Sequence, residues 1–360
     1  MSVPFKIGVL QLSMEPVRET VAMAKACEDA GFDAFWIAEA YPWWRKHSFE
    51  ARSSTAVLAV IANQTRSIQL GWGIISPYTR HPVQIAMEAR VMQDLAGDRF
   101  LLGLGASKIF MKEIGEGEGE KVGPATVMRE SIEVVKGVLE GNAFRYQGKV
   151  FSADVPPLKA DAHSPRGVPP VYVAGTGPVL QKMSGAISDG LLTASITTPA
   201  FVRYSRKNME EGARKVGRDP GSLDLGSVIV GSIGRDSSQG KEGAREQAAM
   251  YLANKVQNIK GSADVLLDCA ELTFEELQPI ADAMERGGRK AAAKAVTDNI
   301  LRKVHPIAGT PDECIAALEE YKAAGCTHIL LEIWGDNRTE QARLFGEAVL
   351  PHFKKVAART

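Results

Sequence analysis

Short apolar runs alternate with amphipathic stretches along nearly all of the 360 residues, and this alternation limits the fold more than any single motif does. Strands are predicted at Phe5–Leu12, Ala34–Ala38, Ser67–Ile74, Phe100–Gly105, Val171–Ala174, Gly190–Ser195, Leu225–Ile233 and Thr327–Ile333. Helices are predicted at Val17–Ala30, Ser53–Asn63, Val83–Leu95, Val122–Leu139, Pro178–Ser188, Pro199–Val216, Pro311–Ala324 and Gln341–Val356. Gly31 and Gly325 stand where helices must stop, each supplying a left-handed residue. Thr310-Pro311 reads as an N-cap followed by proline in the first turn. Near-continuous apolar strands, each followed by a helix, imply a parallel sheet covered by helices. Eight such units in a chain of this length fit an α/β fold of the closed (β/α)8 TIM-barrel type. An open doubly wound sheet is the alternative. The turn Gly103-Leu104-Gly105-Ala106-Ser107 does not support it, lacking the third glycine and the acidic residue of a dinucleotide fold.

Two stretches interrupt the alternation. Arg145–Phe151 reads as a β-hairpin after the fourth helix, and residues 236–303 form a long Ala/Lys/Glu-rich segment after the seventh strand. Insertions after barrel strands lie on the face where ligands bind, so this segment is expected as a helical cover within a single domain spanning residues 1–360. Sideways packing for oligomer contacts is the alternative.

Charge excludes one large class of function. Lys plus Arg is 43 and Asp plus Glu is 43, so no basic excess is available to neutralise a phosphate backbone, and no nucleic-acid partner is expected. No run of about 18 apolar residues occurs, which argues against a membrane partner. The N-terminus lacks the pattern of a signal peptide, and Cys27, Cys269, Cys314 and Cys326 show no C-x-x-C spacing. Reduced thiols in a cytoplasmic protein are the simplest reading. H-E-x-x-H, G-x-S-x-G, a Walker loop and any cluster with metal-ligand spacing are all missing, so no metal site is expected. A chain with so little acid/base apparatus borrows its chemistry from a cofactor.

Strand ends are where such a cofactor would sit. Glu39 closes the second strand and is followed by Tyr41, Trp43 and Trp44, aromatics that would wall a pocket or fill a packed loop. Gly71-Trp72-Gly73-Ile74-Ile75-Ser76 closes the third, where glycine permits a bulge and close backbone approach to a flat ligand. Gly175-Thr176-Gly177-Pro178-Val179 opens a helix after the fifth, where backbone N–H groups and the positive helix end make a phosphate site. An ordinary proline-bracketed turn is the plainer account of either loop.

Together these segments resemble the bacterial-luciferase-like superfamily of flavin- and deazaflavin-dependent oxidoreductases, from Ile7 to about Phe353. The segments that carry the resemblance are Ala30-Gly31-Phe32-Asp33, Ser76–Pro82, Asp98–Gly105, Val171–Pro178 with Ser188-Asp189-Gly190, and Gly309–Glu313. Within it the chain is similar to the methylenetetrahydromethanopterin reductases that use the deazaflavin F420. Gly177-Pro178 is the main pointer, since FMN-using relatives more often show Ser-Pro followed by paired arginines, where this chain has Gln181-Lys182. The resemblance implies cofactor contacts at Glu39, Gly73, Ile74, Ser76, Gly105, Ala106 and Ser107, and phosphate contacts at Gly175, Thr176, Gly177, Pro178 and Val179. It also implies a non-prolyl cis peptide at Gly73–Ile74, pressing a convex backbone against the central ring.

Three departures concern substrate. The first strand, Gly8–Leu12, lacks the glutamate of the pterin reductases; Ser107-Lys108 stands where the fourth-strand loop usually ends in an acid; and Ala40 stands where sugar-phosphate and alcohol dehydrogenases place a histidine. The resulting expectation is hydride transfer between C5 of F420 and a small organic substrate. Glu39 would serve as proton donor or electrostatic partner, Gln11 would orient substrate, and Tyr41, Trp43 and Trp44 would wall it. A homodimer is expected from the resemblance alone. An FMN-dependent monooxygenase fed by a flavin reductase is the alternative, and a non-catalytic cofactor-binding barrel is a third reading.

Overall fold

The computed structural model describes residues 3–39, 50–106, 122–158, 167–259, 264–335 and 337–357. Eight parallel strands close into a barrel in the order β1 (Lys6–Leu12), β2 (Ala34–Ala38), β3 (Gln69–Trp72), β4 (Phe100–Gly105), β7 (Val171–Ala174), β8 (Gly190–Leu192), β9 (Asp224–Ile233) and β11 (His328–Ile333). The register Lys6↔His328 between β1 and β11 completes the ring. These are the eight predicted strands: β2, β4 and β7 keep their predicted bounds, β1, β3, β8 and β11 are shorter, and β9 begins one residue earlier. The antiparallel pair β5 (Phe144–Gln147) and β6 (Ser152–Val155) forms the expected hairpin after the fourth helix. Backbone N–H groups of Lys149, Val150 and Phe151 in its turn donate to the Glu130 carboxylate.

Helices α1 (Val17–Ala30), α2 (Ser54–Gln64), α3 (Pro82–Ala96), α4 (Pro124–Leu139), α5 (Pro178–Ile187) and α6 (Pro199–Lys215) follow the first six barrel strands. Gly31, at φ 85°, ends α1 in the left-handed conformation that its position demanded. After β9 the chain enters α7 (Ser237–Ile259), α8 (Val265–Cys269), α9 (Phe274–Ala295) and α10 (Asp298–Val304). A three-residue strand, β10 (Ile307–Gly309), then pairs with Gly231–Ile233 of β9 on the edge that β8 leaves free. Alternation could not reveal it, because three residues carry no period. Helix α11 (Pro311–Ala323) starts in a capping box between Thr310 and Glu313. The predicted last helix is broken at Val349 into α12 (Arg338–Ala348) and α13 (Leu350–Ala357). Pro351 has no N–H to continue the ladder and disfavours helical backbone before it.

Strand alternation sorts the core into two layers. Ile7, Val9, Phe35, Ile37, Leu70, Trp72, Leu102 and Leu104 point outward and pack beneath the helices. Leu10, Trp36, Leu101, Tyr172, Leu192, Val230 and Leu330 point inward, and their cluster runs on into Ala248, Leu252, Leu277 and Ile280 of α7 and α9. The insertion therefore shares the barrel's inner core. Trp36 fills the centre, edge-on to Tyr172 at 5.2 Å. Gly71 makes room for it, since a Cβ there would meet the indole at 2.2 Å. At the N-terminal end a buried polar cluster forms the floor: Asp224 accepts from Lys6 Nζ at 2.6 Å, Tyr172 OH at 2.7 Å and Thr327 Oγ1 at 2.6 Å, with His328 Nδ1 at 3.5 Å.

Candidate active site at the barrel mouth

At the C-terminal end of β3 the chain leaves regular pairing. The Gly73–Ile74 peptide is cis, as the resemblance implied. Pairing resumes at once, with Ile75 N donating to Gly103 O and Gly105 N to Ile75 O, both at 3.0 Å. The two glycines flanking this bulge are required by space. A Cβ on Gly73 would lie 2.9 Å from Leu10 Cδ1, and one on Gly105 would lie 2.8 Å from Ile74 Cγ1. Ser76 is buried, its hydroxyl 3.4 Å from Ala106 O and accepting from Tyr78 N at 3.3 Å. The structure thus brings Gly73, Ile74, Ser76, Gly105 and Ala106 onto one ledge.

The next strand carries the second loop. Gly105 and Ala174 are register partners, so the turn Gly175–Val179 rises directly beside the ledge. Gly177 is the N-cap of α5, offers no side-chain cap and precedes Pro178 in the first turn. Fully buried Gln181 holds the turn from below: its Nε2 donates to Thr176 O at 3.2 Å and Ser205 Oγ at 2.9 Å, and its Oε1 accepts from Asn208. With carbonyls drawn inward, first-turn amides that have no intrahelical partner face outward at the positive end of the helix, as an anion requires. A glycine ledge for a flat ring beside such a turn fits a phosphorylated flavin or deazaflavin.

Glu39 lies at the rim, but both its oxygens are engaged. Arg80 donates to Oε1 at 2.6 Å and to Oε2 at 3.2 Å, and Ser54 Oγ donates to Oε2 at 2.8 Å. Of the acid/base and electrostatic parts foreseen for Glu39, this geometry suits electrostatic partner rather than proton donor, because both oxygens already accept from Arg80 and Ser54. Gln11 corrects a second expectation. Its register partner is Ile37 and it alternates with Val9, so it faces the outer helix layer, where its Nε2 donates to Glu15 at 2.9 Å. The strand places Leu10, one residue earlier, toward the mouth. Tyr41, Trp43, Trp44 and Ser107 lie outside the described residues.

A group that sequence reasoning missed lies at the end of β11. Glu332 is buried on the inner face, accepting from Tyr251 OH of α7 at 2.6 Å and from Ser195 Oγ, after β8, at 2.9 Å. Burial pushes its carboxyl up to about 7, although both hydroxyls pull the other way. The signal was one carboxylate within Ile329-Leu330-Leu331-Glu332-Ile333, two places beyond inward-facing Leu330.

The chain belongs to the luciferase-like monooxygenase family, whose model matches residues 1–328. Among its relatives is the 5,10-methylenetetrahydromethanopterin reductase of Methanopyrus kandleri, 30% identical over 97% of this chain and 98% of that protein. The F420-dependent glucose-6-phosphate dehydrogenase of Mycolicibacterium gilvum is 26% identical over 94% of this chain and 95% of its own length. The solved coenzyme F420-dependent tetrahydromethanopterin reductase from Methanopyrus kandleri superposes with a TM-score of 0.85 at 28% identity, covering 97% of this chain and 99% of the other.

Proposed function

We propose that this protein is an F420-dependent oxidoreductase that passes a hydride to a small organic substrate, in the manner of a methylenetetrahydromethanopterin reductase. The observation that carries this reading is the ledge formed by Gly73, Ile74 and Gly105 beside the phosphate-type turn Gly175–Val179. Full-length similarity to enzymes named for F420 supports it. When bound, F420 supplies the hydride at C5. The protein's part is to hold the ring on the glycine ledge, anchor the phosphate on the α5 amides, and cover the mouth with α7 and α9. Holding donor and acceptor at near-contact distance supplies much of the rate acceleration. The Glu39–Arg80 pair fixes the rim between β2 and β3.

The reading includes a cytoplasmic homodimer. Four free cysteines suit a reducing compartment. Met87, Val91 and Leu95 form an exposed stripe at helical spacing on α3, with Val60 of α2 also exposed, a surface suited to a second copy. Separate titrations with F420 and FMN, followed by tryptophan quenching, test the assignment. Binding of F420 at micromolar or tighter affinity without FMN is the expected result. Preference for FMN would replace it with a luciferase-like monooxygenase.

A further inference from the structure

Glu332 is a buried acid for which cofactor binding gives no task. It is 1% exposed, with apolar Val230 beside it on β9. Tyr251 and Ser195 approach from two further elements. Gln247, one turn before Tyr251 on α7, turns a buried amide toward the same carboxylate without closing a hydrogen bond. Among the described residues no ion pair reaches Glu332. Titratable groups on the elements around it have other partners: His328, two inward positions below, belongs to the floor with Asp224 and Lys6, Lys255, one turn after Tyr251 on α7, pairs with Asp264, and Arg289 of α9 stacks 5.2 Å from the Trp334 ring centroid.

We propose that Glu332 is the proton store of this site and that its proton reaches the substrate through the hydroxyl of Ser195. The inference rests on the F420-dependent reduction proposed above. Ser195 is half-buried where Glu332 is fully covered, so the hydroxyl is the member of the pair that meets the mouth. The loop is built to hold it there. Ile196 takes φ 69°, a left-handed conformation costly for a β-branched residue. It is held by the Thr193–Thr197 hydroxyl contact at 2.7 Å and by Tyr321 OH donating to Thr197 O at 2.7 Å. Burial without a cation keeps Glu332 protonated up to about 7, near the value at which a general acid works best at neutral pH. Once Glu332 is protonated its hydrogen bond to Ser195 turns round: the carboxyl donates, and the hydroxyl's own proton is free to point outward.

The chemistry balances. Reducing a methylene bridge between two nitrogens to a methyl group needs one hydride on carbon and one proton on the nitrogen whose C–N bond breaks. Ser195 gives that proton while Glu332 returns one to Ser195. Reduced deazaflavin, when bound, would release one proton along with the hydride, and that proton would return to Glu332 through Ser195. Glu332 thus acts through Ser195.

Infrared titration of the protein alone, followed by turnover with F420 and a methylene-bridged tetrahydropterin, tests this. Wild type is expected to show a protonated-carboxyl band lost near pH 7, absent from Glu332→Gln. Glu332→Gln and Ser195→Ala should keep F420 affinity and lose about 100-fold or more in kcat. Wild-type kcat should fall above about pH 7, and that fall should vanish in Glu332→Gln. Tyr251→Phe removes a hydroxyl that favours the ionised carboxylate, so it should move both the loss of the band and the fall in kcat to higher pH. A band titrating in the ordinary carboxylate range, or a Glu332→Gln variant with unchanged kcat and pH profile, overturns the relay while F420 binding stands. If wild type binds no F420, the underlying reading fails and the relay falls with it, a result distinguished by the binding titration.

Discussion

The barrel buries one carboxylate at each end, and the two are held in opposite ways. At the floor, burial alone would raise Asp224, yet His328 and Lys6 hold it well below the usual carboxylate range. At the mouth, the groups that reach Glu332 among the described residues are neutral, the hydroxyls of Tyr251 and Ser195 and the amide of Gln247, and burial prevails. Both residues are nearly inaccessible, Asp224 at 4% and Glu332 at 1%, so depth does not separate them. What separates them is a cation. A buried carboxylate beside an ammonium is a fixed charge that pins strands together, whereas one among hydroxyls stores a proton near neutral pH. The floor is therefore read as structure and the mouth as chemistry, in keeping with where barrel enzymes place their sites.

The largest effect is expected at the floor. Asp224→Asn leaves the Lys6 ammonium buried without its counter-charge and should cost about 3–5 kcal/mol, seen as a lower denaturation midpoint. Adding Lys6→Met should recover much of the loss. Recovery would fail if the aspartate mattered only for its bonds to Tyr172 and Thr327. The mouth gives a smaller effect that depends on pH. Glu332 is raised in the folded state from 4.5 to about 7. Its contribution to stability is therefore fully present below about 4.5 and lost as pH rises through about 7, a change of roughly 3 kcal/mol. Urea melts across that range should show this decline in wild type and a shallower one in Glu332→Gln. Parallel curves would mean that the two carboxylates are not held differently after all.

The same contrast governs what could be read before folding. Glycine and proline report backbone conformation locally, so the bulge at Gly73 and the turn Gly175–Val179 were legible, whereas Gly105 entered through the resemblance. Side-chain encounters were not. Ser195 meets Glu332 across 137 positions and Tyr251 meets it across 81, contacts that exist only once the barrel closes and the insertion folds back. Gln11 was a suitable residue in the wrong phase, because a strand's period of two sends position 11 outward if position 10 faces in. Glu39 stood at the right place, but its chemistry depends on Arg80, 41 positions further on.

That ion pair sharpens the comparison. Glu39 and Arg80 are partly exposed, 19% and 14% by side chain, and Glu88 stands 3.6 Å from the same guanidinium as a second partner. Glu39→Gln should therefore cost only about 1 kcal/mol in a thermal melt. It should also leave the pH profile of kcat in place, whereas a 100-fold loss would return the proton-donor role to Glu39.

The smallest change in stability is expected at Gly177. Its φ of −83° and ψ of 153° suit any N-cap residue, and a Cβ there meets nothing within 4 Å. Gly177→Asp should fold normally and stabilise α5 by a few tenths of a kcal/mol, since aspartate caps a helix better than glycine. The new carboxylate would occupy the same amides that a phosphate needs. At separations near 4 Å its repulsion is worth several kcal/mol at the effective dielectric of a protein surface, so F420 affinity should fall by at least about tenfold while the melting temperature rises slightly. Unchanged affinity would mean that the phosphate lies elsewhere along the mouth, and that the α5 turn is only the proline-bracketed start of a helix.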